Sequence, residues 1–560
     1  MNVFAIRYRA MNRSRKYFFY FSLICLIKFF PVQTSSAADN ETDSLNLTYP
    51  ALIDAIYQNQ PEQHFWQEES LRNELEKQIV LLALADINDD IFYSYQALKK
   101  ADQQNNWQRY ERLASDLLLF YLSYTEQLPL KGRYWLFSKG IKNNIGAPSD
   151  STIDTFFNAS SDPARLEYLQ SLSPRTSQYT HLYNNLLEFY LNKNASAAKF
   201  TASAKEGKQL KQKDLLLSRL QISGDISAKM KRYIESEDKK LYSPELRDII
   251  ISFQNRHGLK ADGIVGKNTR YWLNLSHQER LRLMALNMLR MQFWTARLWA
   301  INKPRFVFVN IPDYTMEYWE FDEKVFESKV IVGRTDRKTP LFAAKLDSIV
   351  FNPEWRVPNS IMRKDIIPEV LANKDYLEQH QYEILTNWKT EDVIDPELID
   401  WNWITADNFP YKLRQKPGKN NALGLYKFNT PNRYTIYLHD TPAKHLFENQ
   451  TRTYSSGCIR VQKAAQFAQM LMDKSGFSYQ DYERHHYQQR TNVVSLKNII
   501  PVYTIYQTVW VDKWGATQFR KDIYNYDNLT RSKNFNKNFY SLQLEKKPTV
   551  QQVTKTIEEY

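Results

Sequence analysis

A single thiol and an imidazole are the residues of this chain whose types and spacing can do chemistry. Cys458 lies in Tyr454-Ser455-Ser456-Gly457-Cys458-Ile459-Arg460, and His439 stands 19 positions upstream. Covalent acyl transfer needs a sulfur nucleophile, a base to carry its proton, and amide donors for the oxyanion. The chain has two cysteines, and the other, Cys25, falls in an N-terminal stretch that reads as an export signal. Without that stretch the protein has one thiol and no internal disulfide. Exported cysteines usually pair, so a lone one points to a reactive nucleophile.

The elements expected to position these groups follow from local pattern. Arg433 to His439 alternates as a strand does, which predicts Thr435, Tyr437 and His439 on one face. Val461 to Lys474 has apolar residues at helical spacing, with Gly476 beyond its end. Cys458 is therefore expected just ahead of a helix N-terminus, where free amides and the dipole favour the thiolate. Gly457 would let a backbone N–H approach a substrate carbonyl without a side chain in the way. No metal site is read. His485 and His486 are adjacent, would diverge on a strand or helix, and are expected on the surface. His445 reads as a polar loop residue. Asp440 adjoins His439, which argues against its orienting that ring. The third group beside His439 stays open, a backbone carbonyl being one candidate.

Length and composition set the frame. At 560 residues, two to four domains are expected. A hydrophobic share of 43% with 14% aromatics places the chain among folded proteins. Arg7, Arg9, Arg13, Arg15 and Lys16 precede an apolar stretch of 16 residues, Tyr17 to Val32, broken by Lys28 and followed by Ser35-Ser36-Ala37-Ala38. A cleaved signal is the first reading and an uncleaved inner-membrane anchor the second, both placing the protein in the periplasm. Removing the six basic residues before Ala38 takes the formal net charge from +13 to +7. That excess suits an anionic wall polymer, and nucleic acid is not an expected partner.

Along the chain, residues 1–38 are read as the signal or anchor and 39–240 as an all-helical scaffold, from apolar residues at three- and four-residue spacing. Ser243 to Asn274 predicts a capped helix, a glycine-shaped loop at Gly258 and Asp262-Gly263, and a second helix near Thr269. A connecting helix is expected over 281–304. Strand signals from Arg305 predict an antiparallel β domain over 305–526, with a charged, helical insertion over 360–420 that could serve as a lid. Residues 527–560, rich in Lys and Asn, are expected to form a mobile tail.

Two stretches resemble known families. Phe253-Gln254, Gly258-Leu259, Asp262-Gly263, Val265-Gly266 and Thr269 resemble the small three-helix peptidoglycan-binding domain of wall enzymes. His439 and the Ser455–Arg460 stretch look like the signature of the L,D-transpeptidase family. Further matches are Val330 to Arg334, Thr339-Pro340, Phe351-Asn352-Pro353, Trp355, Val357-Pro358, Arg414 to Gly418 and Asn421 to Gly424. The chain is similar to the large periplasmic members of that family. The resemblance implies a multi-domain α+β protein: a helical scaffold, the binding domain, and a β-rich catalytic domain with an inserted helical capping subdomain. It implies Cys458 as nucleophile and His439 as base, with Gly457, Ser456 and Tyr437 around the oxyanion and pocket; Arg460, Ser455 and Trp355 are hypothesised to bind substrate. Many members have His where this chain has Ser456, and Asn where it has Arg460. The implied reaction is a 3→3 peptidoglycan cross-link through a thioester on meso-diaminopimelate, with no cofactor. Resolution of the same thioester by water or a protein amine, and a non-catalytic wall-binding scaffold, are the competing readings. The implied partners are peptidoglycan stem peptides, carbapenem-type β-lactams as covalent inhibitors, and other wall-synthesis enzymes.

Overall fold

The computed structural model describes residues 46–142, 145–191, 198–236, 241–299, 305–321 and 323–527. The signal or anchor, Cys25 and the tail beyond 527 lie outside these residues.

Among the described residues, eight α-helices run between Pro50 and Ile222. Some of their starts are set by side-chain caps: Asn88 accepts from the amides of Asp90 and Ile91, Asn106 from Arg109, and Ser161 from Ala164. The long helix Trp107–Tyr134 ends in a π turn, Trp135–Lys139, six residues after Pro129 removes an amide from its ladder. Helix His277–Trp299 is the spine of the molecule. Its Arg290 is fully buried, donating to Leu136 O in the scaffold (3.0 Å) and to Asp527 Oδ1 (2.6 Å). Its Asn287 exchanges hydrogen bonds of 2.9 Å with Thr508. Asp527 is thus an anchor, where the sequence suggested the start of a mobile tail.

The glycine-shaped module follows its signature closely. Helices Pro244–Arg256 and Lys267–Leu273 are joined through buried Gln254, whose side chain donates to Asp262 Oδ1 (3.1 Å), Ile264 O (3.0 Å) and Thr269 Oγ1 (3.2 Å) and accepts from the Gly263 amide (2.8 Å). The residues that carry the resemblance are therefore the ones that close the loop.

The β domain has nine strands in one sheet. They are β1 (Arg305–Asn310), β2 (Thr315–Glu320), β3 (Glu323–Gly333), β4 (Ala343–Phe351), β9 (Tyr426–Asn429), β10 (Leu438–His439), β11 (Thr453–Ser455), β12 (Ile459–Val461) and β13 (Asn492–Ile505). The order is β11-β3-β12-β10-β9-β4-β13-β1-β2, and β2 also pairs with β3, so the sheet closes on itself. The sheet is mixed, not antiparallel as expected: β1–β13, β10–β12 and β11–β3 run parallel. Long crossovers carrying helices and loops make those pairings possible. A hairpin of β14 (Val509–Val511) and β15 (Thr517–Phe519) packs on the glycine-shaped module, with Phe519 stacked 5.2 Å from the ring of His257.

The insertion is only half helical. Short helices over 359–379 sit beside a four-stranded sheet of β5 (Trp355–Arg356), β6 (Tyr382–Leu385), β7 (Val393–Ile394) and β8 (Lys412–Gln415). These strands are two to four residues long, too short for an alternation signal to stand out. Val357, Ile367, Val370, Ile384 and Leu413 give this unit a core of its own.

Candidate active site

Strand β10 places His439 at the centre of a cross-strand row. It pairs with Arg460 of β12 on one side and Lys427 of β9 on the other. The expected strand over 433–439 is only its last two residues. Thr435 has φ +56°, and Asn432 accepts from the amides of Tyr434 (2.9 Å) and Ile436 (3.3 Å), which folds Pro431 to Ile436 into a loop. Tyr437 and His439 nonetheless share a side, with ring centroids 5.7 Å apart.

Cys458 sits in a loop pinned at every residue. The Ser455 hydroxyl donates to Cys458 O (2.5 Å) and accepts from the Gly457 amide (3.1 Å). The Gly457 N–H, expected to face a substrate, is therefore occupied within its own loop. Gly457 has φ +116°, and a Cβ there would meet Ile436 Cδ1 at 3.0 Å, so only glycine fits without strain. Thr339 Oγ1 donates to Gly457 O (2.8 Å) and accepts from the Gly333 amide (2.9 Å). Arg337 donates to Ser456 Oγ (2.9 Å) and pairs with Asp365 of the insertion. The helix expected at the thiol begins later, at Ala464, because Ile459–Val461 pair between β10 and β3 as β12. A helix dipole acts within its first turn, so it does not reach the sulfur.

The electrostatics follow from burial. Cys458 is half-buried, and desolvation pushes its thiol above its ordinary value of 9, against donors from the Tyr437 backbone and hydroxyl and the charges of Lys427 and Arg460. The expected thiolate is thus not the resting form. The S–H points to Thr435 O at 3.9 Å. His439 is buried, and burial together with the charge of Arg460 lowers its imidazole from 6.5 to about 3. Its Nδ1–H donates to the Asp440 carbonyl at 2.5 Å, which leaves Nε2 as a bare lone pair. The third group is thus a main-chain oxygen, and Asp440 has a part after all. Its carboxylate holds that backbone in place by accepting from the Leu425 amide (3.0 Å) and pairing with Lys444. A neutral thiol and a neutral imidazole are the resting pair on adjacent elements, with the Tyr437 ring packed beside His439. Trp355 of the insertion sheet lies close enough to the Tyr437 hydroxyl to act on its ionisation, which brings that unit to the site.

Residues outside the expected set also matter here. Lys427 could have been found from the alternation of Tyr426-Lys427-Phe428-Asn429, and the Pro431-Asn432 turn from its composition. Nothing in sequence announced the Thr435 carbonyl. His485 and His486 are not surface residues but half-buried ones: His486 Nδ1 meets Tyr426 OH at 2.6 Å, and His485 Nδ1 meets Asn492 Oδ1 at 2.6 Å. Their helix, Tyr479–Tyr487, packs its last turn against the edge of β4 and β9. His445 is exposed in a short 3-10 turn.

Comparisons with known proteins agree with this geometry. Residues 304–493 match the YkuD model of the L,D-transpeptidase catalytic domain, and residues 228–273 match the model described as "Putative peptidoglycan binding domain". A Haemophilus influenzae protein named "Putative L,D-transpeptidase" is 26% identical over 488 residues, covering 87% of this chain and 80% of its own. A crystal structure of an L,D-transpeptidase from Stackebrandtia nassauensis covers 55% of this chain and 97% of its own at 15% identity, with a TM-score of 0.19. With both domain matches on one chain and a similar protein spanning most of it, the chain carries a YkuD-type L,D-transpeptidase catalytic domain beside a peptidoglycan-binding domain.

Proposed function

We propose that the protein forms 3→3 peptidoglycan cross-links through a Cys458 thioester. The observation that carries this reading is a half-buried thiol on a pinned loop, one strand from an imidazole held neutral whose Nε2 has no partner among the described residues. In the first half-reaction Cys458 Sγ bonds to the carbonyl carbon of meso-diaminopimelate in a donor tetrapeptide stem. The thiol proton passes to His439 Nε2 and then to the amine of the departing D-Ala. The Cys458 amide, which has no partner among the described residues, holds the oxyanion. In the second, the side-chain amine of an acceptor stem attacks the thioester, gives up a proton to His439, and the thiol is restored. Tyr437, with Trp355 nearby, shapes the pocket. Ser455 and Ser456 keep the loop rigid, and Arg460 supplies charge to the substrate. The glycine-shaped module holds the enzyme on the wall outside the inner membrane.

Incubation with a disaccharide-tetrapeptide tests this. The expected result is a cross-linked dimer and one D-Ala released per dimer. D-Ala release with only tripeptide accumulating would overturn the cross-linking step and assign a hydrolase.

A further inference from the structure

The row through His439 contains two cations that the protein itself does not neutralise. Cross-strand partners share a face of a sheet, so Lys427, His439 and Arg460 stand side by side on β9, β10 and β12. The Lys427 ammonium lies 4.6 Å from the centroid of the Tyr437 ring. Arg460 Nε is buried with no hydrogen-bond partner. Among the described residues neither side chain has an ion pair, and the nearby carboxylates are taken. Asp440 is held by Lys444 and the Leu425 amide, and Glu354 by Arg356 and Arg414. Both cations are close enough to Cys458 for its charge to act on them. A desolvated, unpaired cation is costly, and a protein that retains two beside its nucleophile gains from them only when an anion arrives.

We propose that Lys427 and Arg460 together bind a substrate carboxylate next to the scissile carbonyl, and that Lys427 is a specificity-determining residue of this site. This rests on the acyl-transfer reading above and deepens it. Two carboxylates of the donor stem could fill the place: the C-terminal one on the leaving residue, and the one on the diaminopimelate side chain. A donor extended by one residue would carry its C-terminal carboxylate about 3.3–3.6 Å further off.

Alkylation of Cys458 tests the pair without any peptide. Iodoacetate and iodoacetamide differ in charge and little else, and their rate ratio is internal to each variant, so a general loss of reactivity cancels. The full chain is expected to favour iodoacetate over iodoacetamide by about tenfold relative to free cysteine, the factor of roughly one charge-assisted hydrogen bond. Lys427→Gln and Arg460→Gln should each bring the ratio down toward free cysteine, and Lys427→Arg should retain it. A wild-type ratio equal to that of free cysteine, or one unchanged in both Gln variants, overturns the proposal. Donor tetrapeptides amidated at one carboxylate or the other then identify the source: kcat/KM falls for one of them in the wild type and is insensitive to the same amidation in Lys427→Gln. No fall for either also overturns it. If no donor is used at all, the cross-linking function fails while the alkylation ratio still decides the cationic pair.

Discussion

Arg414 and Arg460 both lie on strands, yet they are treated in opposite ways. Arg414, on β8 of the insertion, is shared by Glu383 (2.8 Å), Glu391 (2.9 Å) and Glu354 (3.5 Å). Arg460, on β12 beside the thiol, has no ion pair among the described residues, and its buried Nε has no hydrogen-bond partner. The insertion satisfies its charges internally because they hold its small sheet together. On our proposal the charges beside the thiol stay open because their partner is the substrate. The same contrast separates Gln254, whose amide is fully used inside the peptidoglycan-binding domain, from His439, whose Nε2 is not.

Substitutions can break this contrast. The largest effect is expected at the open end. His439→Gln should lower kcat by about 10²–10⁴-fold, the usual contribution of a general base, with the thermal midpoint little changed. Removing Arg414 should do the reverse. Arg414→Ala leaves three carboxylates together and should cost about 1–3 kcal/mol in urea unfolding, with kcat/KM near wild type. Gln254→Leu strips the loop of its central partner and should cost a similar 1–3 kcal/mol while leaving turnover of soluble stems intact. A loss of turnover in Gln254→Leu would mean that the two domains are more tightly coupled than this account allows.

Titration sharpens the comparison further. His439 is held near 3 in the folded protein against an ordinary 6.5, so the unfolded chain binds more protons between those values. Stability is therefore fully present above pH 6.5 and falls as pH drops from 6.5 toward 3. Buried His277, lowered to about 4, and His257, also lowered, act in the same sense. Activity should behave differently. The base remains unprotonated, so the acid limb of kcat/KM should lie well below 6.5 for as long as the fold survives. An acid limb near 6.5 would show an ordinary, solvated imidazole.

Much of this architecture was legible in the sequence, for identifiable reasons. The helical scaffold showed because its helices are long enough for their period to be read. The glycine-shaped module showed because Gln254, Asp262, Gly263 and Thr269 are bound to one another, so each residue type is required. Tyr437 and His439 were placed on one side correctly, although most of the strand proposed for them is a loop. What sequence could not supply were main-chain and long-range effects. The Asp440 carbonyl that fixes the imidazole has no residue signature. Lys427 reaches the site only through the pairing of β9 with β10, and pairing is not local information. The misplaced helix start shows the same limit: Ile459-Arg460-Val461 is apolar enough for either element, and its two strand neighbours decided the outcome.

The proposed chemistry requires Cys458 to take an acyl group. Intact mass of the full protein after exposure to a carbapenem measures this directly. A single adduct of the drug's mass on the wild type, absent from Cys458→Ala, is the predicted result. An unmodified wild type, or an adduct that persists in Cys458→Ala, would contradict it.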